Sequence, residues 1–184
     1  MKIHILTAGC AVGLFAAVSF AAFGQPSHGQ LAQPYAGMQS RAIKSLSELQ
    51  VADLRAGRGM GLAFVAELNG YPGPSHLLEL ADQLNLSAGQ RSALKKVFDN
   101  MKVETIPIGE NLIVQEAKLN RLFAEHGVSE QNLKASTAEI GETQSTLRNS
   151  HLKYHLQTRG ILNPEQIKHY AELRGYGGEH QPHN

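Results

Sequence analysis

Between residues 88 and 160 apolar side chains recur every three or four positions. Over 88–125 the stripe reads Leu94, Phe98, Met101, Ile108, Leu112, Leu119 and Leu122, with Thr105 and Gln115 filling two of its places. That period belongs to an α-helix with one face turned to a core. At ~1.5 Å per residue such a helix is roughly 55 Å long. Pro107 stands in its middle and predicts a bend. Gly127 breaks it, and Ser129 is placed to cap a second long helix over 130–160. The second stripe reads Leu133, Thr137, Ile140, Gln144, Leu147, His151, Tyr154 and Thr158. No stretch alternates apolar and polar residues as a strand would. The expectation is all-α: a long antiparallel helical hairpin with short flanking helices, a hooked four-helix arrangement.

Helix starts are marked by a repeated pentapeptide, Leu-Ser/Asn-x-x-Gln. It occurs at Leu46–Gln50, Leu86–Gln90 and Leu162–Gln166. Ser47, Ser87 or Asn163 at the N-cap accepts from an orphan backbone N–H, and the Gln three residues on reaches back to the cap. Pro164 occupies the first helical position, where its missing N–H costs nothing. Leu86 and Leu162 precede their caps as hydrophobic staples.

Shorter helical pieces are expected at 48–56, at 60–69 and, opened by Pro74, at 74–85. The last helix covers 164–174 and stops at Gly175. Residues 25–45 are rich in Gln, Pro, Ser and Gly and read as a flexible linker. The tail 177–184 carries His180 and His183 and reads as disordered.

The N-terminus reads as an export signal. Lys2 precedes an uncharged apolar run over 5–23, and Ala22-Phe23-Gly24 offers a small-x-small cleavage pattern. An uncleaved anchor is the competing reading, since the run approaches the ~20 residues that span a bilayer. Cys10, the one cysteine, lies inside this run. A chain cleaved after Gly24 therefore has no thiol chemistry. It also loses Lys2 and no acid, which leaves its basic residues balanced against 16 acidic ones. Nucleic-acid binding wants a basic face and is not expected. Localisation in the periplasm follows from export, and residues 46–176 form the single helical domain.

No phosphate-binding loop and no nucleophile–base constellation stands out, so no enzymatic activity is expected. Metal binding is. His151 and His155 stand at i and i+4, which puts both imidazoles on one helical face within reach of one ion. His76 falls on the stripe of Leu80 and Leu84 in the 74–85 helix and is expected inward, as a third ligand. Glu79 or Glu67 is the candidate carboxylate. Nitrogen ligands with a carboxylate or water suit Zn, Cu, Ni or Co.

The two boxes, the hairpin between them and the export signal resemble the periplasmic Spy/CpxP-like superfamily. Leu86–Gln90 and Leu162–Gln166 match its Leu-Thr-x-x-Gln repeat, with Ser and Asn in place of Thr. His76 within Gly73–Leu80, and the segment His151–His155, bring the chain nearest the metal-linked branch of heavy-metal sensor and resistance proteins (ZraP-like, CnrX-like). The resemblance covers roughly residues 46–176. It implies a hooked all-helical hairpin that forms a homodimer. It also implies binding of metal ions, or of unfolded clients as an ATP-independent chaperone or envelope-stress adaptor. A sensor of this branch acts with a membrane-bound signalling partner. CnrX-like sensors carry the His pair on an early helix, whereas here the pair is late and the early His single.

Overall fold

The computed structural model describes residues 33–176. The leader, the first part of the linker and the His-containing tail lie outside these residues. Six α-helices follow one another: α1 Glu48–Arg55, α2 Phe64–Glu67, α3 Pro74–Glu79, α4 Ala88–Ala124, α5 Glu130–Arg159 and α6 Pro164–Leu173. Among the described residues there is no strand. None of these helices is long and apolar enough to cross a membrane.

α4 and α5 pack along each other in opposite directions. Lys118 meets Glu139, Asn111 meets Thr143, and Glu104 meets Ser150 and Lys153. Partners fall on α4 as they rise on α5. α4 runs unbroken through Pro107. The inner face of α5 differs from the expected stripe at two places. Thr137 and Gln144 are exposed, while Ser136 and Thr143 are buried beside Ile140, Leu147, Ser150, Tyr154 and Thr158. From Ser136 to Tyr154 steps of four and three residues alternate, as in the expected stripe, but Ser136 and Thr143 stand one position earlier than Thr137 and Gln144.

Every long helix starts on a capping box. Ser47 with Gln50, Ser87 with Gln90 and Asn163 with Gln166 make the reciprocal bonds expected, and Ser129 with Asn132 adds a fourth. Two of the boxes interlock. Gln90 Nε2 donates to Gln166 Oε1 at 2.8 Å, and Gln166 Nε2 donates to Gln90 Oε1 at 3.2 Å. The same amides reach the carbonyls of Ile161 and Leu84. The starts of α4 and α6 are thereby tied to each other. One apolar core sits beside this knot, built on Leu77, Leu84, Leu86, Leu94 and Tyr170. A second lies along the helix pair, built on Leu54, Leu112, Ile113, Ile140 and Leu147.

Two short helices are shorter than expected. Where a helix over 60–69 was expected, only Phe64–Glu67 is helical, because Met60 and Gly61 take left-handed backbone (φ 44° and 81°). The helix expected over 74–85 ends at Glu79. Arg91 holds the turns that follow, donating to Ala81 O and Leu86 O, and Asn85 turns the chain with φ 49°. Part of the expected linker is ordered too. Ile43 and Leu46 pack on the second core, Ser45 Oγ donates to Glu116 Oε2 at 2.7 Å, and Lys44 N donates to Asn120 Oδ1.

Candidate metal centre

Glu67 ends α2, and its carboxylate is 5 % exposed. Burial alone would raise its pKa. Hydrogen bonds from His76, from the Tyr170 hydroxyl and from the Gly73 N–H outweigh burial and hold it at about 2. Gly73 N donates to Oε2 at 2.9 Å, and His76 Nδ1 stands 3.4 Å from Oε1. Tyr170 on α6 donates to Oε1, and His155 Nδ1 lies 3.7 Å from Oε2. One carboxylate thus joins α2, α3, α5 and α6. Burial, then Glu67 itself, pushes the Tyr170 phenol well up.

His155 is fixed by its backbone partner. Its Nδ1 lies 2.6 Å from the carbonyl of Tyr71. A carbonyl only accepts, so Nδ1 carries a proton, and Nε2 is the nitrogen that offers a lone pair when the ring carries that proton alone. The same reasoning gives His76 an Nδ1–H toward Glu67. A ring N–H held by a carbonyl or carboxylate is the usual support behind a ligating imidazole. Gly73 leaves room at the ring. A Cβ there would stand 3.0 Å from His155 Nε2 and 2.9 Å from its Cε1.

One turn back, His151 is 2 % exposed and its Nε2 has no hydrogen-bond partner. Burial, with a smaller contribution from His155, lowers its pKa to about 4. The imidazole is therefore neutral at pH 7, with a buried polar atom unused. Gly59 covers the ring's other edge, its would-be Cβ 3.6 Å from Nδ1.

The expected residues therefore separate. Glu67, His76 and His155 come together, and His151 adjoins His155. Glu79 does not join them, for it is exposed and accepts from Ser75. His76 is half-exposed instead of inward. Among the described residues no three His, Cys, Asp or Glu side chains enclose a position for a metal ion. The imidazole pair fits a transition ion in its chemistry: His151 offers an orphaned, neutral Nε2, and His155 a free Nε2 braced from behind. The carboxylate half of the expected set does not fit. Glu67 already accepts from four donors, Gly73, His76, Tyr170 and, at 3.5 Å, Tyr176.

Sequence reasoning missed a second cluster. Glu104 accepts from Ser150, Lys153 and Tyr154 at 2.6–2.8 Å. Lys153 foremost holds its carboxyl at about 2, and burial followed by Glu104 pushes Tyr154 up to about 12. The spacing of Ser150, Lys153 and Tyr154 on one helical face was the available signal. The chain matches no family model, no curated protein and no solved structure.

Proposed function

We propose that this is an exported, dimeric, hooked helical protein that senses or buffers a divalent transition metal ion through His151 and His155. The observation that carries the reading is the buried His151 Nε2 without a partner, one turn from an imidazole whose Nε2 is also free. A buried polar atom left unpaired costs about 1–3 kcal/mol, so its retention asks for a ligand. His76 is the third donor within reach of the same support, and Glu67 is its positioning carboxylate. Zn, Cu, Ni and Co all accept imidazole nitrogen. Calorimetric titration of the chain with each ion tests this. Saturable binding that disappears in His151→Ala/His155→Ala is expected. Wild-type affinity in the double variant refutes the assignment.

An exposed apolar face favours a second reading, that of a chaperone for unfolded segments. Leu49, Phe64, Val65 and Leu68 are each more than half exposed, and Met60 is 40 % exposed. Aggregation of a denatured client should then be suppressed at near-equimolar ratio. No suppression at several-fold excess removes this reading.

A further inference from the structure

A groove of about 670 Å³ runs between α1, the segment 41–46 and the middle of α4. Its volume falls within the range of small-molecule sites, which are mostly apolar with a few polar groups that fix orientation. Ile43, Leu46, Val51, Ala52 and Ile113 give it an apolar lining. Arg41 and Arg55 are its cations and Glu48 its acid. Arg55 is already bridged to Glu110 at 3.3 Å. Arg41 is half-buried and has no carboxylate partner among the described residues. Lys44 lies against it, with Nζ 2.5 Å from the Arg41 carbonyl. Counting these neighbours, three cations stand beside Glu48, Glu110 and the buried Glu116 that accepts from Ser45, so the formal charges balance and Arg41 is the lining cation left without a carboxylate partner.

We propose that this groove binds a single-chain carboxylate amphiphile, its head on Arg41 and its alkyl chain along Ile43, Val51 and Ile113. A guanidinium matches a carboxylate in two-point geometry and is less strongly hydrated than an ammonium, so it suits a half-buried ion pair. One guanidinium without a carboxylate partner matches one carboxylate head. The apolar lining gains from the chain at roughly 25 cal/mol per Å² of apolar surface removed from water. The site is separate from the imidazole pair and does not depend on the metal reading.

Titration of the full chain with dodecanoate, below its micelle-forming concentration, tests the proposal. One-to-one saturable binding is expected. Arg41→Gln should weaken it by about tenfold or more, the usual size of a lost charge-assisted hydrogen bond. Ala52→Trp should abolish it, since Ala52 is exposed on α1 and a large ring there fills the groove without entering the core. Dodecyltrimethylammonium, with the same chain and the opposite charge, should bind at least tenfold more weakly than dodecanoate. Equal binding of the two amphiphiles, or wild-type affinity in Arg41→Gln, overturns the proposal. So does a groove filled by a second copy of the chain. That outcome reads as no dodecanoate binding, with Ala52→Trp lowering the mass in solution. Circular dichroism of both variants, unchanged from wild type, ensures that lost binding reports the groove.

Discussion

Glu67 and His151 are both buried and both shifted in pKa, for opposite reasons. Glu67 is stabilised as an anion by its donors, and His151 is destabilised as a cation by burial. The pH dependence of stability follows for the metal-free chain. A carboxyl held at about 2, against an ordinary 4.5, contributes stability above pH 4.5 and loses it as pH falls toward 2. A shift of this size is worth on the order of 3 kcal/mol. His151 stays neutral while the unfolded chain takes up a proton below pH 6.5, so stability also falls between 6.5 and about 4. Chemical denaturation at stepped pH should show both windows. Glu67→Gln should shrink the lower one, to which Glu104 also contributes, and His151→Leu should remove the upper one.

His151→Leu separates structure from function at the same position. Leucine approximates the volume of the ring and deletes an atom that has no partner. Replacing an orphaned polar group by an apolar one of similar shape is close to neutral or stabilising. The variant should therefore keep wild-type stability at pH 7 to within about 1 kcal/mol. Metal binding should be lost all the same. A large loss of stability would mean that the imidazole holds the fold together, and the orphaned nitrogen would then not point to a ligand.

Among the elements, the helix starts were legible because a cap is a local object. Ser47, Ser87 and Asn163 are fixed by residues three positions away, and the boxes formed as spaced. The link between Gln90 and Gln166 was not legible, since it joins residues that only the fold brings together. That link predicts a coupling. Gln90→Ala and Gln166→Ala should each destabilise, and their double-mutant cycle should return an interaction of about 0.5–3 kcal/mol. Additive losses would mean that each glutamine serves its own cap alone. Ser87→Ala removes only the cap and should cost about 1 kcal/mol in thermal or denaturant unfolding. The faces of α5 were misread at Thr137 and Gln144 for a related reason. Ser136 and Thr143, like Thr137 and Gln144, stand three or four residues from Ile140 and Leu147, so which pair is buried depends on the partner helix, and the partner is not written in the helix's own sequence.

The packing of α1 on α4 rests on one glycine that no pattern singled out. A Cβ on Gly109 would stand 2.7 Å from the carbonyl oxygen of Leu54 and 3.1 Å from its carbon. Both are backbone atoms, so α1 would have to lift. Alanine is the better helix former by about 1 kcal/mol, which alone would make Gly109→Ala stabilising. Overpacking against backbone costs typically 1–3 kcal/mol and wins. A lowered denaturation midpoint is expected. A raised midpoint would mean that α1 is seated loosely enough to move aside.

At the scale of the molecule, the helical class and the two long helices could be read from periodicity alone. The donor set of the site could not. His151 and His155 share a face by helix geometry, whereas the role of Glu67 depends on Tyr170, more than a hundred residues away in sequence. The same scale decides how the exposed apolar face is used. Phe64 and Val65 sit on α2 with Leu68 at its C-terminal cap, and Phe64 folds back over Gly61. An exposed apolar patch of this kind marks a surface that another body covers. The chain's charge is nearly balanced, +1 over 184 residues, so long-range repulsion does not oppose association of two copies. Light scattering at tens of micromolar should therefore return twice the monomer mass. Phe64→Ser combined with Leu68→Ser should return the monomer mass with helicity intact, because both side chains lie largely outside the core. A monomer mass for the wild type would refute the dimer. It would also leave the apolar face open to clients, where the chaperone reading can be tested directly by the same double variant: lost suppression of aggregation with unchanged mass.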